Sequence, residues 1–282
     1  MNITILGHVC IDHNKSEGAT YTSAGGPASF MFRVFNYIPQ VTVNIISPYG
    51  KDFFSYLQPS AIYPKEPNGE KTLIYENSSQ ANLKIQKSFN REFSYPPLIT
   101  DELLNIIQVS DIIFVAPLTP FYDVDYVKKC LTVAKKDSLK ILLPRGYYRD
   151  FTDEDEVIER NFDDAEDFIP YFNFIITSEQ DHHDMMHITR KWAKETSVIM
   201  TLGEKGAMYL DSAHSYIVST KPVSYKDIID SVGAGDIFSA IFGYKYYLTH
   251  DVRKSMELAN NIARQCLFSS ADNLHFILPK QP

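Results

Sequence analysis

Two glycines flank one small residue at Gly233-Ala234-Gly235, and Asp236 follows at once. The next residues, Ile237, Phe238, Ala240, Ile241, Phe242, Tyr244 and Leu248, are apolar on more than one face. That pattern predicts a buried helix of about three turns behind a glycine-rich turn. Such a turn lets successive backbone N–H groups point into one concavity, where the helix dipole favours negative charge. With a carboxylate at its lip, the pocket has what phosphoryl transfer requires: fixed donors for an anion and a group able to take a proton. A plain helix entry capped by Asp236 would use the same four residues, so the motif needs support elsewhere in the chain.

Other residues supply candidates. Residues 3–6 read as a buried first strand ended by Gly7, with Asp12 just beyond, and Gly25-Gly26-Pro27 opens a helix predicted to run to about Ile38. A strand over 198–202 ends in Thr201-Leu202-Gly203-Glu204-Lys205-Gly206, which taken alone is also a turn into a strand over 207–210. Pro144-Arg145-Gly146-Tyr147-Tyr148-Arg149 closes the strand predicted over 140–143. Open α/β sheets bind ligands at such carboxyl ends, so Arg149, with Arg145 second, is a candidate clamp for substrate or transferred phosphate. The acidic run over 153–167 lacks a calcium-loop pattern and is expected to be a solvated helical face. His183 and His187 are spaced one helical turn apart, but with His182 they offer no His-Glu-x-x-His and no third ligand nearby. They are expected to be exposed helix histidines.

Taken together, the nine residues 230–238 closely resemble the C-terminal signature of the PfkB family of carbohydrate kinases, whose fold is ribokinase-like. The resemblance implies that Gly233, Ala234 and Gly235 form an anion hole and that Asp236 is the catalytic base. Asp12 matches the family's substrate-binding Asp, and Gly25 and Gly26 match the double glycine that lets the backbone approach the sugar. Ser29 and Phe30 stand where relatives often carry an Asn. Thr201, Gly203 and Gly206 match the nucleotide-side loop, and Asn260 matches an Asn near the adenine. Ser178-Glu179-Gln180-Asp181 occupies the place of the Asn-x-x-Glu motif that organises magnesium, with Asp181 left to hold a magnesium-bound water. Some relatives have Asp-Pro-Gln-Gly-aromatic-x-Arg where this chain keeps Pro144, Gly146 and Arg149 but has Leu143 and Arg145. The likeness spans almost the whole chain and is strongest over residues 197–268. It implies ATP as donor with Mg2+, a monovalent cation as an optional further cofactor, and a small alcohol (sugar, nucleoside or inositol) as acceptor. The helix dipole is expected to keep Asp236 ionised near neutral pH. A side chain at Gly235 is expected to fill the phosphate cavity and to demand a forbidden backbone conformation. The competing reading is a ribokinase-fold ligand-binding or regulatory protein without catalysis, which the altered Asn-x-x-Glu region favours.

The elements that must position these residues alternate as βαβ units beyond residue 100: helices over 100–108 and 123–136, strands over 112–116, 140–143 and 174–177, and a last helix over 252–268. With a strand over 41–47, they predict one domain over 1–282, an α/β/α three-layer sandwich with a mostly parallel central sheet. Residues 15–23, a polar loop or short exposed strand containing Gly18, and a hairpin of 72–76 with 82–86 across 77–81 are expected to form a small β lid near 13–23 and 71–89. An ordinary antiparallel edge of the main sheet would give the same pattern. The lid is also the candidate surface for a homodimer. The 282 residues carry a net charge of −8, which argues against nucleic acid or an anionic membrane as partner. Three widely spaced cysteines suit free thiols, and with no leader pattern or membrane-length apolar run they predict a cytoplasmic protein. No Walker motif is present, and no Gly-x-Gly-x-x-Gly follows the first strand, which removes P-loop kinases and dinucleotide enzymes.

Overall fold

The computed structural model describes residues 1–16, 19–56, 61–80, 83–270, 273 and 275–278. Strand β1 (Asn2–Gly7) leads to a hairpin of β2 (Cys10–Ser16) and β3 (Ala19–Gly25), then to α1 (Gly26–Asn36) and β4 (Thr42–Ile46). Strand β5 (Ile62–Tyr63) precedes a second hairpin, β6 (Ile74–Gln80) and β7 (Leu83–Phe89). Then come α2 (Asp101–Gln108), β8 (Ile112–Ala116), α3 (Val124–Leu131) and β9 (Leu139–Leu142). A ribbon of β10 (Arg149–Phe151) and β11 (Val157–Glu159) and the short α4 (Ala165–Phe168) separate these from β12 (Phe174–Ser178), α5 (Met185–Trp192) and β13 (Ser197–Thr201). The chain ends with β14 (Ala207–Leu210), β15 (Ser215–Val218), α6 (Ala234–Thr249) and α7 (Val252–Cys266).

Among the described residues, nine strands form the main sheet in the order β15-β14-β13-β12-β9-β8-β1-β4-β5. From β13 to β5 every pairing is parallel, and β14 and β15 add an antiparallel edge. Parallel strands covered on both faces need apolar residues on both, and β8 is buried at all five positions. Alternate residues feed two cores. Ile3, Ile5 and Phe114 pack with α1, α6 and α7, whereas Leu6, Ile113 and Val115 pack with α2, α3 and α5. The result is the expected α/β/α sandwich. No helix among the described residues is long and apolar enough to cross a membrane.

The two hairpins form a separate four-stranded sheet, β3-β2-β6-β7, joined by a parallel β2–β6 pairing, so they are a lid and not an edge of the main sheet. Residues 15–23 are strand wherever described; Gly18 and, at the second turn, Ala81 and Asn82 lie outside the described residues. The lid is fastened at both sides. The Tyr21 hydroxyl donates to Asp230 ahead of α6, and the Tyr75 hydroxyl donates to the Leu118 carbonyl at 2.7 Å.

Two expectations change. The helix predicted over 123–136 stops at Leu131, where the Thr132 hydroxyl donates to the Lys129 carbonyl and a turn at Ser138 N–H to Lys135 O starts β9. The acidic run is not a helical face. Asp155 takes a left-handed backbone (φ 65°), pairs with Arg91 at 2.7 Å, and its carbonyl accepts from the Ser88 N–H, so the ribbon clasps β7; only α4 is helical.

Helix α6 lies against the sheet at Gly243, where an added Cβ would fall 2.6 Å from Phe114 Cζ and 2.8 Å from Ile141 Cδ1. Alanine normally strengthens a helix by about 1 kcal/mol over glycine. Here overpacking, costing about 1–3 kcal/mol, should win, so Gly243→Ala is expected to lower the urea midpoint without changing the slope.

Candidate active site

The carboxyl ends of the parallel strands supply the site. Past β1, strand β2 carries Asp12, a buried residue whose carboxylate lies against the Cα of Gly25: a Cβ there would sit 2.0 Å from Asp12 Oδ2. Gly26 then turns the chain into α1 with φ 80°, a conformation L side chains rarely adopt. Each glycine thus has its own reason. Burial pushes the Asp12 carboxyl up to about 6, and the Cys10 thiol, which donates to Oδ1 at 3.3 Å, and nearby Arg149 and Arg145 pull the other way. Ser29 in α1 is fully buried, and its hydroxyl has no partner.

Gly233, at φ 79°, is the residue before α6, and a Cβ on it would strike the Phe30 ring at 2.4 Å. Phe30 therefore joins α1 to the glycine turn. Gly235 differs from expectation: it lies inside α6 without a positive φ, and an added Cβ would meet nothing within 4 Å. Its value is room, not backbone freedom. The first N–H groups of a helix have no intrahelical acceptor. The Ala234 N–H reaches Ser231 O at 3.3 Å, and the Ile237 N–H bonds to Gly233 O at 2.9 Å. Among the described residues no acceptor takes the Gly235 or Asp236 N–H. The turn therefore presents two unspent donors to an open space.

Asp236 sits in the first turn of α6. Burial pushes its carboxyl up to about 7; Arg145 opposes this, Asp12 and Asp181 add to it, and Arg149 opposes it. These five residues, from four separate parts of the chain, share one electrostatic neighbourhood. The helix dipole alone does not set the ionisation of Asp236: desolvation and two neighbouring carboxylates raise the carboxyl to about 7, so it is only partly ionised near neutral pH.

Asp181 Oδ2 accepts from the Thr177 hydroxyl (2.9 Å) and the Ser178 N–H (2.8 Å), which leaves Oδ1 facing Arg145 Nε at 3.7 Å. Arg149 is buried with two of its N–H groups bonded, Nη2 to Gln86 Oε1 at 2.9 Å and Nη1 to Leu118 O at 3.3 Å, and its guanidinium lies 4.7 Å from the Tyr75 ring centroid. Arg145 is the more exposed of the two, with 59 % of its side chain open. Of the pair, it is the one free to meet an incoming anion.

On the far side, the Thr201 hydroxyl donates to Thr177 O at 3.2 Å and the Thr201 carbonyl accepts from the Glu179 N–H at 3.0 Å, tying this loop to that of Asp181. Gly203 (φ 55°) has open space beside it, whereas a Cβ on Gly206 (φ 96°) would fall 2.2 Å from Val218 O. Asn260 Nδ2 donates to the same Val218 carbonyl at 2.9 Å. Gly206 and Asn260 thus meet through β15, an element the sequence reading did not foresee.

Of the three histidines, His187 is the exposed helix residue expected, on α5, and the other two differ. His182 and His183 precede α5; His182 is buried against Tyr148, and His183 Nδ1 lies 2.5 Å from Glu159 Oε1. Glu159, Asn161 and these rings form a hydrogen-bonded cluster. His182 Nδ1 accepts from the Asp184 N–H at 3.1 Å, so its Nε2 carries the proton donated to Asn161 Oδ1 at 3.2 Å and is not a free ligand.

A glycine turn and two carboxyls gathered at the carboxyl ends of a mostly parallel sheet define the class: an α/β fold with its ligand site at that end. The chain belongs to the pfkB family of carbohydrate kinases, which matches residues 68–275. No curated protein sequence matches it. Solved structures of similar fold include a pyrophosphate-dependent kinase of the ribokinase family complexed with a pyrophosphate analog and myo-inositol (17 % identity, 93 % of each chain, TM-score 0.69). A nucleoside kinase from Methanocaldococcus jannaschii is similar at 16 % identity over 95 % of this chain and 92 % of its own, TM-score 0.68. So is Arabidopsis thaliana ribokinase complexed with ribose and ATP, at 14 % identity over 94 % and 92 %, TM-score 0.66.

Asp12 and Asp236 are carboxyls whose folded pKa values, about 6 and about 7, lie above their unfolded value near 3.8. The folded state then binds more protons, so their contribution to stability is complete below pH ~4 and is lost as pH rises through about 6 and 7. Asp236→Asn is expected to melt higher than wild type at pH 8, with the gap closing towards pH 4. Equal melting curves at both pH values would contradict the burial of this carboxyl.

Proposed function

We propose that this chain transfers the γ-phosphoryl group of ATP to a hydroxyl of a small sugar, nucleoside or inositol-like alcohol. The observation that carries this reading is the unspent Gly235 and Asp236 N–H pair facing open space beside a carboxyl held near pH 7. Asp12, with Gly25 and Gly26, orients the acceptor. Asp236, whose pKa lies near the working pH, accepts the proton of the attacking hydroxyl. Phosphoryl transfer asks mainly for positioning and charge stabilisation, and the turn Gly233-Ala234-Gly235 receives the negative charge of the transferred group, with the unspent Gly235 and Asp236 N–H groups as its free donors, Arg145 as a side-chain clamp and Arg149 behind it. Thr201, Gly203, Gly206 and Asn260 hold the nucleotide side. The donor set fits Mg2+: Asp181 Oδ1 is a hard oxygen without a protein hydrogen bond, suited to binding through water, and the ion supplies charge neutralisation on the ATP oxygens. A monovalent cation is an optional addition. One cytoplasmic domain over 1–282, with a lid-mediated homodimer, completes the reading.

Pyrophosphate is the second donor to consider, since Asn260 Nδ2 is already spent on Val218 O and a kinase of similar fold is pyrophosphate-dependent. The test is a screen of sugars, nucleosides and inositols for ADP release, repeated with pyrophosphate and phosphate release. No turnover with either donor, despite tight nucleotide binding, would favour a non-catalytic binding protein.

With an acceptor in hand, Asp236→Asn should keep ATP binding and lose at least about a hundredfold in turnover, the usual loss on removing a general base. Wild-type kcat/KM should fall as pH drops through about 7, the value set by burial of Asp236. Near-normal turnover by the variant would remove Asp236 as the base. Separately, Gly235→Val should fold, because its backbone is helical, yet bind ATP at least about tenfold more weakly by calorimetry, since its side chain would occupy the space meant for phosphate.

A further inference from the structure

Arg145 and Asp181, both departures from the family pattern, face each other in the folded chain. Strands β9 and β12 pair in parallel, Ile141 with Phe174 and Leu142 with Ile175, so the turn Pro144–Tyr148 after the first lies beside the loop after the second. Asp181 is fixed there. Its side chain is 7 % exposed, and Oδ2 is held by the Thr177 hydroxyl and the Ser178 N–H. Oδ1 is left to Arg145 Nε at 3.7 Å. That is an ion pair without a hydrogen bond, since charge-assisted N–H···O contacts close to about 2.7–2.9 Å. Among the described residues the Arg145 side chain makes no hydrogen bond, and Asp181 is its one ion-pair partner.

Three carboxyls, Asp12, Asp181 and Asp236, share this neighbourhood with two guanidiniums. Of the two, Arg149 is held by hydrogen bonds to Gln86 and Leu118, whereas Arg145 is the largest charge acting against the rise of the Asp236 carboxyl. A polyphosphate brings several further negative charges into this field, and the carboxyls repel it. Arg145 is the cation able to move, with its guanidinium on a long stem and 59 % of its side chain exposed. Leaving Asp181 costs it little, because a pair half open to water and without a hydrogen bond is well screened. A phosphate offers it paired oxygens at hydrogen-bonding distance, the geometry a planar guanidinium matches best.

We propose that Arg145 is a built-in counter-ion that exchanges between Asp181 and the phosphates of the donor, so that this chain binds a polyphosphate donor without a divalent cation. The inference rests on the kinase reading only for the donor's place at the glycine turn. In the empty site Arg145 neutralises Asp181 Oδ1, which leaves no bare carboxylate oxygen there for a hydrated cation. Once the guanidinium moves to phosphate, Oδ1 has lost its partner while Oδ2 stays bonded to Thr177 and Ser178. A carboxylate left so little exposed and unpaired calls for a cation, and a hard oxygen suits a divalent one held through water. One positive charge thus serves Asp181 in the empty site and the donor in the filled one.

Calorimetric titration of the full chain with ATP and with pyrophosphate, in EDTA and then in Mg2+, reads the exchange without any turnover. Wild type should bind at least one of the two in EDTA. Arg145→Gln should weaken that binding about ten- to a hundredfold in EDTA and clearly less in Mg2+, with Arg145→Lys retaining most of it. Asp181→Asn, whose oxygen can still accept from Thr177 and Ser178, releases Arg145. It should strengthen binding in EDTA and reduce the gain from Mg2+. With no donor present, Mn2+ followed by electron paramagnetic resonance should bind Arg145→Gln more tightly than wild type. The proposal is overturned if wild type binds a donor in Mg2+ but neither in EDTA, or if Arg145→Gln loses equally in both buffers; the kinase reading survives either result. Donor binding with the expected pattern but no transfer to any alcohol would support the exchange and refute the kinase reading. No binding of either donor in either buffer would refute both.

Discussion

Asp12, buried in the lid, and Asp236, half-buried in the first turn of α6, lie in one electrostatic neighbourhood, and much of the architecture follows from that constraint. An isolated buried carboxylate is costly, so such a group shifts its pKa or gathers cations. Both happen here. The two carboxyls rise to about 6 and about 7, and Arg145 and Arg149 stand close enough to temper the rise. Arg149 does so while locked into the lid, and Arg145 does so while open to solvent. Burial that destabilises the charged form is the same burial that brings the Asp236 carboxyl near neutrality.

Close approach is the second theme, and it explains the glycines one at a time. Gly25 is absent of side chain because Asp12 occupies the place its Cβ would take, and Gly233 because Phe30 does. Gly26 and Gly233 also need a left-handed backbone, whereas Gly235 needs neither and keeps a volume open at the start of α6. The glycine turn is held open because α1, through Phe30, packs against Gly233 while the space beside Gly235 stays empty.

The lid is tied to the body through Tyr21 on β3, Tyr75 on β6 and Gln86 on β7, the last accepting from Arg149. Strand alternation makes its two faces different: Asp12, Asn14 and Ser23 share the buried face, while Lys15, Thr20 and Thr22 are exposed. A sheet with one polar buried face is costly in isolation.

The family and the three-layer fold were legible in local patterns: the run 230–238, the apolar strands, and the βαβ alternation, all set by short-range periodicity and turn chemistry. The failures were those of distance. The acidic run looked helical because composition says nothing of Arg91, which captures Asp155 from another part of the chain. The histidines hid Glu159, 24 residues from His183, and Arg149 looked like a ligand clamp because Gln86 and Tyr75 are remote in sequence. The ionisation of Asp236 was misjudged from its helix alone, since a local dipole can be read from sequence but desolvation cannot. Sequence determined which residues are candidates for the chemistry and which elements they begin or end. Only the tertiary structure decided which of them are buried, which donors are already spent, and which are left unpaired, because each of those depends on what long-range packing brings alongside.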